Sequence, residues 1–449
     1  MRGVVVAARW RFCKRAFSRG FGGLEIFMIR KLSQRYLRNN FAQGVISVAG
    51  GTIVGQGVSV LTSPILTRLY TPEAVGKWGL FLSFVGVATV GGALRYEVAI
   101  VAAKDEEDAF ILAGHALFLS ILTSIVGGVV FAIFSYRNIL GYGIFPGWMG
   151  MGITLAIMGT TWGQILRFWF IRQREFRKVG YFVAGKGILR SFSQMLWFPW
   201  RSVGLIFGEV IGRLGSLGIL LRDFPFRRAL KNVLTVRGRA TVLWRFKEYP
   251  LIFLPSAFVD TLALMAPVPV FTAVYGVKVG GMLALAQRVV SVPLLFLGSA
   301  VADVFYGEIA EAMRRSPKAA FSLFLKSTFR LSGTAFLLGG ALWFLAPLSM
   351  EIIFGPEWVL SGSMLAVMVP WFVAMLIVSP ISRLVFLSRY PWAKLIYDFF
   401  ALVGVTLPLW WHSLGPLEAL RFVAWIQAGL YGLYWLVLLF SVRQGLEVR

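Results

Sequence analysis

Cysteine and histidine are nearly missing: the 449 residues hold one Cys, Cys13, and two His, His115 and His412. A single thiol excludes a disulfide framework, and so few ligands exclude a zinc-type cluster. No metal or other cofactor is expected, and Ser-His-Asp catalysis has little to draw on. Nucleotide signatures are missing as well. "AGKG" at 184–187 lacks the glycine spacing and the Ser/Thr of a phosphate-binding loop, and "GRLGSLG" at 212–218 is not a dinucleotide fingerprint. Charged residues make up only 14% of the chain, and 20 acids face 45 Lys and Arg.

With 58% hydrophobic and 15% aromatic residues, the chain has too little polar surface to cover a soluble fold. It is a membrane protein. The net charge of +25 would suit nucleic acid only on a folded soluble surface. Here the basic residues sit in short tracts between apolar runs, where they act as topology signals and contacts to lipid headgroups; nucleic acid is not an expected partner.

At about 20 apolar residues per crossing, twelve spans are expected: 43–66, 78–98, 109–134, 147–166, 181–198, 203–221, 249–274, 280–302, 325–347, 363–384, 393–411 and 420–441. Of the 45 Lys and Arg, 35 fall in segments on one side and six on the other. Positive residues stay on the cytoplasmic side, so both termini are expected there. The opposite loops are short and leave no room for an outer catalytic domain, so an enzyme is not expected.

The polar connection 222–247 divides the spans six and six. It separates lobes 41–221 and 248–449, with 1–40 as a basic N-terminal segment. That segment, Arg-rich and without an acid before Glu25, has the composition of a transit peptide; the reading adopted is an interfacial segment or an extension ahead of Met28. The lobes share a short pattern. "LTRLYTPEAVGKWGL" at 66–80 and "FTAVYGVKVGGML" at 271–283 align Thr67, Tyr70, Val75 and Gly76 with Thr272, Tyr275, Val279 and Gly280 when one residue is omitted. Each copy joins the first and second spans of its half, which predicts parallel repeats about an axis along the membrane normal.

Four cations fall inside spans: Lys186, Arg190, Arg213 and Arg288. Charge at depth marks a pathway, a partner or an ion pair. At about 1.5 Å per residue, Arg190 and Arg213 lie about 14–15 Å in. Asp260 and Arg288 also fall near the middle of a core about 30 Å thick. Glu209 and Arg213 share a helix face and are expected to pair, and Asp260 and Arg288 are expected to do the same. Lys186 and Arg190 are both positive, four apart, and call for an anion or a water-filled cavity. Arg95 lies about 26 Å along span two, close to the cytoplasmic rim. It is expected to snorkel or to face the cavity mouth, while Glu97 is expected to point elsewhere on the helix. Glycines 44, 50, 51, 55 and 57, followed by Pro64, make span one either a tightly packed helix or one that lines a lumen.

"SPILTRLYTPEAVGKWGLFLSFVGVATVGGALRYEVAIVAAKDEEDAFIL" at 63–112, "GMLALAQRVVSVP" at 281–293 and "EIIFGPEW" at 351–358 resemble polysaccharide-biosynthesis flippases of the O-antigen, Wzx type, in the MOP exporter superfamily. The likeness runs from about residue 41 to 412, and none of its motifs is catalytic. It implies an all-α membrane transporter of about twelve helices in two pseudo-two-fold lobes, with a central cavity. It also implies a function: moving undecaprenyl-pyrophosphate-linked oligosaccharide (O-antigen, capsule or exopolysaccharide units) from the inner to the outer leaflet of the bacterial plasma membrane. Other polysaccharide-assembly proteins are implied partners. Cavity cations Arg190, Arg288, Arg213, Lys186 and Arg95 would meet the pyrophosphate, with Asp260 and Glu209 as charge partners or coupling groups. A multidrug or organic-cation antiporter and a peptidoglycan-precursor flippase of the same superfamily are the alternatives.

Overall fold

The computed structural model describes residues 40–229, 239–387, 392–410 and 413–443. The basic segment up to residue 39, Cys13, His412 and residues 230–238 of the connecting segment lie outside the described residues. The described residues contain helices and no strand. The first lobe comprises α1 (Asn40–Leu69), α2 (Pro72–Val90), α3 (Tyr96–Ala102), α4 (Glu106–Tyr136), α5 (Met149–Arg172), α6 (Phe176–Leu196) and α7 (Arg201–Leu221). The short α8 (Arg239–Arg245) leads to α9 (Leu254–Met265), α10 (Pro267–Tyr275), α11 (Val277–Arg315) and α12 (Pro317–Phe354). The second lobe then closes with α13 (Val359–Val367), α14 (Val369–Val378), α15 (Trp392–Thr406) and α16 (Pro416–Arg443).

Each expected span coincides with a helix or a broken helix. Among the described residues, seven helices are long and apolar enough to cross a membrane alone, or up to nine spans if each of two bent pairs counts once. The remaining long helices α5, α6 and α11 carry Arg167, Lys186, Arg190 and Arg288. The two bends, 42° between α9 and α10 and 51° between α13 and α14, fall where Pro267 or Pro370 opens the second piece. Proline has no N–H for the helical ladder and its ring displaces the preceding turn.

Helix starts follow local chemistry. The Thr71 hydroxyl accepts the amide of Ala74 and Pro72 opens α2; Ser316 and Pro317 repeat the device at α12. Span two stops earlier than expected. After Val90 the chain leaves the helix, Leu94 and Arg95 take the left-handed region at φ 51° and 65°, and α3 starts afresh. Gly92 sits against Thr161, where a Cβ would collide with the threonine hydroxyl.

The buried apolar residues form three clusters, and their placement sets the shape of the molecule. The largest lies at the end away from the basic connections. It runs through both lobes, from Tyr70, Trp78, Phe81 and Ile153 to Phe271, Leu283, Trp358 and Leu420. At the basic end the core divides. One cluster, with Ile100, Trp169 and Leu220, belongs to the first lobe, and another, with Ile309, Phe324 and Leu438, to the second. The lobes are thus joined by apolar packing at one end and hold separate cores at the other.

The basic end is laced with polar contacts. Arg172 donates to the carbonyls of Ile100 and Ala103 at the end of α3 and to those of Lys104 and Asp105 in the turn that leads to α4. Arg228 pairs with Glu106 at 3.5 Å and Arg245 with Asp108 at 2.6 Å. The hydrogen bond from Lys178 holds the Asp223 carboxyl below the usual carboxylate range, and the same bond raises the Lys178 ammonium.

Candidate functional site

Glycine decides where the site forms. On α1, a Cβ at Gly51 would run into the carbonyl of Gly180, and one at Gly55 would lie 2.7 Å from the carbonyl oxygen of Val183. Gly187 answers from α6 against Gly55, and Gly212 of α7 leaves only 2.6 Å between a would-be Cβ and that of Arg190. The backbones of α1, α6 and α7 therefore approach closely, and polar side chains along the contact share one cleft. Gly50 and Gly57 have open space instead. Of the two readings of span one, the tight packing is seen at Gly51 and Gly55.

The cleft, of about 230 Å³, is lined by Gln56, Thr160, Gln164, Arg167, Lys186, Arg190 and Arg213. Glu209, 1% exposed, organises it. One carboxylate oxygen receives Arg213 Nε at 3.0 Å, and the other lies 4.0 Å from Arg190 Nε. The expected Glu209–Arg213 pair thus forms, one turn apart on α7, and Arg190 joins it from α6. Beyond the carboxylate, Arg213 donates to the hydroxyl of Thr160 and Arg190 to that of Ser59. Arg190 Nε and Glu209 Oε2 are buried without a hydrogen bond. Arg167, Lys186, Arg190 and Arg213 line the cleft and Glu209 pairs with the last two, so among the described residues the cations here exceed the carboxylate by three. An anion with several acceptor oxygens complements such an arrangement.

Arg288 reaches the same region from the other lobe. It donates to the backbone carbonyl of Ser59 at 3.2 Å, and its guanidinium lies 4.9 Å from the centre of the Trp78 ring. Ser59 thus receives Arg190 on its hydroxyl and Arg288 on its carbonyl.

Two expected arrangements are corrected. Asp260 does not pair with Arg288; it accepts from Lys394 Nζ at 2.7 Å, and Lys394 also bonds both oxygens of Asp398, at 2.5 and 2.7 Å. Equal depth along the membrane normal says nothing about which side of a helix a residue occupies, and α15 stands on the Asp260 side. Glu97 does not point away from Arg95 towards headgroups. It is 3% exposed and lies 3.9 Å from Arg95 Nη1, because the left-handed turn at Arg95 replaces the regular helix on which the two would diverge.

Sequence reasoning missed Arg167, Thr160, Gln164 and Ser59. Arg167 stood one residue beyond the expected end of its span and was counted with the cytoplasmic charges. The hydroxyl and amide residues carried no charge to mark them. Arg95 is not among the residues lining the cleft.

No protein-family model matches the chain. Over 312 residues, 67% of this chain, it is 23% identical to the succinoglycan biosynthesis transport protein ExoT of Rhizobium meliloti (strain 1021), and the match spans 60% of that protein's length. Among solved structures, it is similar to the lipid II flippase MurJ in an inward closed conformation, with TM-score 0.66, 14% identity and coverage of 89% of this chain and 87% of that one. It is also similar to a multidrug resistance MATE family transporter of the MOP superfamily in an inward-facing conformation, with TM-score 0.59, 16% identity and coverage of 89% and 98%. The chain is a multi-pass membrane protein with the all-helical fold of these two transporter structures.

Proposed function

We propose that this protein is a flippase for polyprenyl-diphosphate-linked oligosaccharide of the exopolysaccharide type, working by alternating access in the bacterial inner membrane with both termini cytoplasmic. One observation carries the reading: a cleft lined by Arg167, Lys186, Arg190 and Arg213 beside the single carboxylate of Glu209, with Arg288 one residue's width away at Ser59. The diphosphate takes the excess positive charge, Gln56 and Gln164 supply donors and acceptors for sugar hydroxyls, and the lipid tail stays in the bilayer. The succinoglycan transport relative supports the substrate class. Lobes 41–221 and 248–449 are the moving bodies, joined by the cytoplasmic connection 222–247.

A cationic substrate fits the site less well. Glu209 is engaged by two arginines, and Asp260 and Asp398 share Lys394. A peptidoglycan precursor carries the same diphosphate on a different head group, a sugar bearing a peptide, so it is a competing substrate in the test. Proteoliposomes containing the full chain are loaded with undecaprenyl-diphosphate oligosaccharide or with the peptidoglycan precursor, and outward movement is followed. The oligosaccharide lipid is expected to move faster. Arg190→Ala and Arg288→Ala, checked for folding, are expected to slow it at least tenfold, the effect of losing about 1.4 kcal/mol of interaction. Full activity in both variants removes the cation role, and exclusive movement of the peptidoglycan precursor removes the substrate assignment.

A further inference from the structure

The repeated motif lies where the lobes meet, outside the lining of the cation cleft. Gly76 near the start of α2 and Gly281 near the start of α11 lie back to back. A Cβ on Gly76 would strike the carbonyl of Val277, and a Cβ on Gly281 would strike the carbonyl of Pro72 and lie 2.7 Å from the amide nitrogen of Gly76. These contacts are reciprocal. With no residue omitted, Thr67, Tyr70, Pro72 and Gly76 align with Thr272, Tyr275, Val277 and Gly281, each pair 205 apart. The structure therefore replaces the gapped alignment with a continuous one, in which each copy's glycine receives the other copy's helix-start carbonyl. Such i-to-j and j-to-i exchange is the signature of a two-fold contact, and the pseudo-two-fold axis passes through this seam.

Two more ties cross beside it. Trp358, 1% exposed in the "GPEW" turn, donates its indole N–H to the carbonyl of Thr67 at 3.1 Å. Arg68 reaches the carbonyl of Ile352 at 3.5 Å. The core shared by both lobes surrounds this end, whereas at the basic end each lobe keeps its own core.

We propose that the two motif copies and the "GPEW" turn form the outer gate of the transporter, and that the Gly76–Gly281 seam holds it shut in this conformation. The proposal rests on the alternating-access reading above. Only glycine allows the two helix starts to close to backbone contact, so any side chain there wedges the seam and favours the outward-open state. The seal is not at maximum strength. Tyr70 donates to the carbonyl of Gln194 at 2.6 Å, but the hydroxyl of its counterpart Tyr275 has no hydrogen-bond partner among the described residues. Within the stretches that carry the family resemblance, the Gly76–Gly281 seam and the "GPEW" turn thus serve conformational control, while Arg288 and the Trp78 ring it lies over belong to the cation site.

The test is labelling of the full chain in cells by a membrane-impermeant maleimide added outside. Cys13 is replaced by Ser, and Val75→Cys, 5% exposed beside Gly76, is the reporter. Gly281→Val is expected to speed labelling at least tenfold, and Trp358→Phe, which removes one tie, two- to threefold. Gly57→Ala, in open space on α1, is expected to leave it unchanged. Unchanged labelling in folded Gly281→Val overturns the proposal. If that variant does not fold, unchanged labelling in Trp358→Phe overturns it instead. The assay contains no added substrate, so its failure leaves the assignment of the cation cleft standing, and failure of the transport assay leaves the gate standing.

Discussion

Glu209 shows what one residue does here. A carboxylate 1% exposed is costly unless paired, and it keeps guanidiniums from α6 and α7 at one point despite their mutual repulsion. Breaking a buried pair from one side costs about 3–5 kcal/mol because the remaining charge is left uncompensated. Glu209→Gln is therefore expected to lower the thermal unfolding midpoint of the purified protein by several degrees, and Glu209→Gln combined with Arg213→Gln to recover part of the loss. Additive losses in the double variant, measured by melting in detergent, would show that the two residues are not coupled. The pair itself was legible from the four-residue spacing on one helix. The Asp260–Arg288 pair was not a sound expectation, because depth is one coordinate and pairing needs three. Lys394 reaches Asp260 from a helix more than a hundred residues away in the chain.

At the scale of elements, helix starts, stops and bends follow from short-range chemistry that the chain spells out: Thr71-Pro72, Ser316-Pro317, Pro267 and Pro370. The α1–α6 contact depends on something less visible, which glycines face which way. Gly51 meets the Gly180 carbonyl whereas Gly57 meets nothing, although both stand in the same small-residue run. Gly57→Ala is expected to change stability by no more than about 0.5 kcal/mol, as for an unobstructed surface site. Gly51→Val should cost at least 2 kcal/mol through forced separation of the helices, near the upper part of the overpacking range of about 1–3 kcal/mol. Melting curves of the two variants check the contrast, and equal shifts would mean that α1 and α6 do not pack through these positions. The break at Leu94 and Arg95 was hidden for a related reason. Neither residue favours positive φ, and the turn is held by the packing of Gly92 on Thr161 and by Arg172 capping α3.

For the whole molecule, the proposed function carries a direction of travel. An anion moving outward from an inside-negative compartment gains about 2.3 kcal/mol per charge per 100 mV. In proteoliposomes an imposed potential, negative on the side of the basic connections, is expected to speed movement of the diphosphate lipid towards the opposite leaflet, and reversal of the potential to slow it. A rate indifferent to potential would mean that no net charge crosses in the rate-limiting step. The sequence by itself determined the class of molecule, a multi-pass helical membrane protein, while its basic tracts and faint repeat supplied the expected orientation and the expected division into halves. Hydropathy and the charge rule act along one axis, the membrane normal, and a linear pattern reports them well. Only the tertiary structure decided which cations share a carboxylate, that Ser59 joins Arg190 to Arg288, and that the faint repeat closes on itself at Gly76 and Gly281. Those outcomes depend on the lateral arrangement and rotation of helices in the membrane plane, set by contacts between residues far apart in the chain.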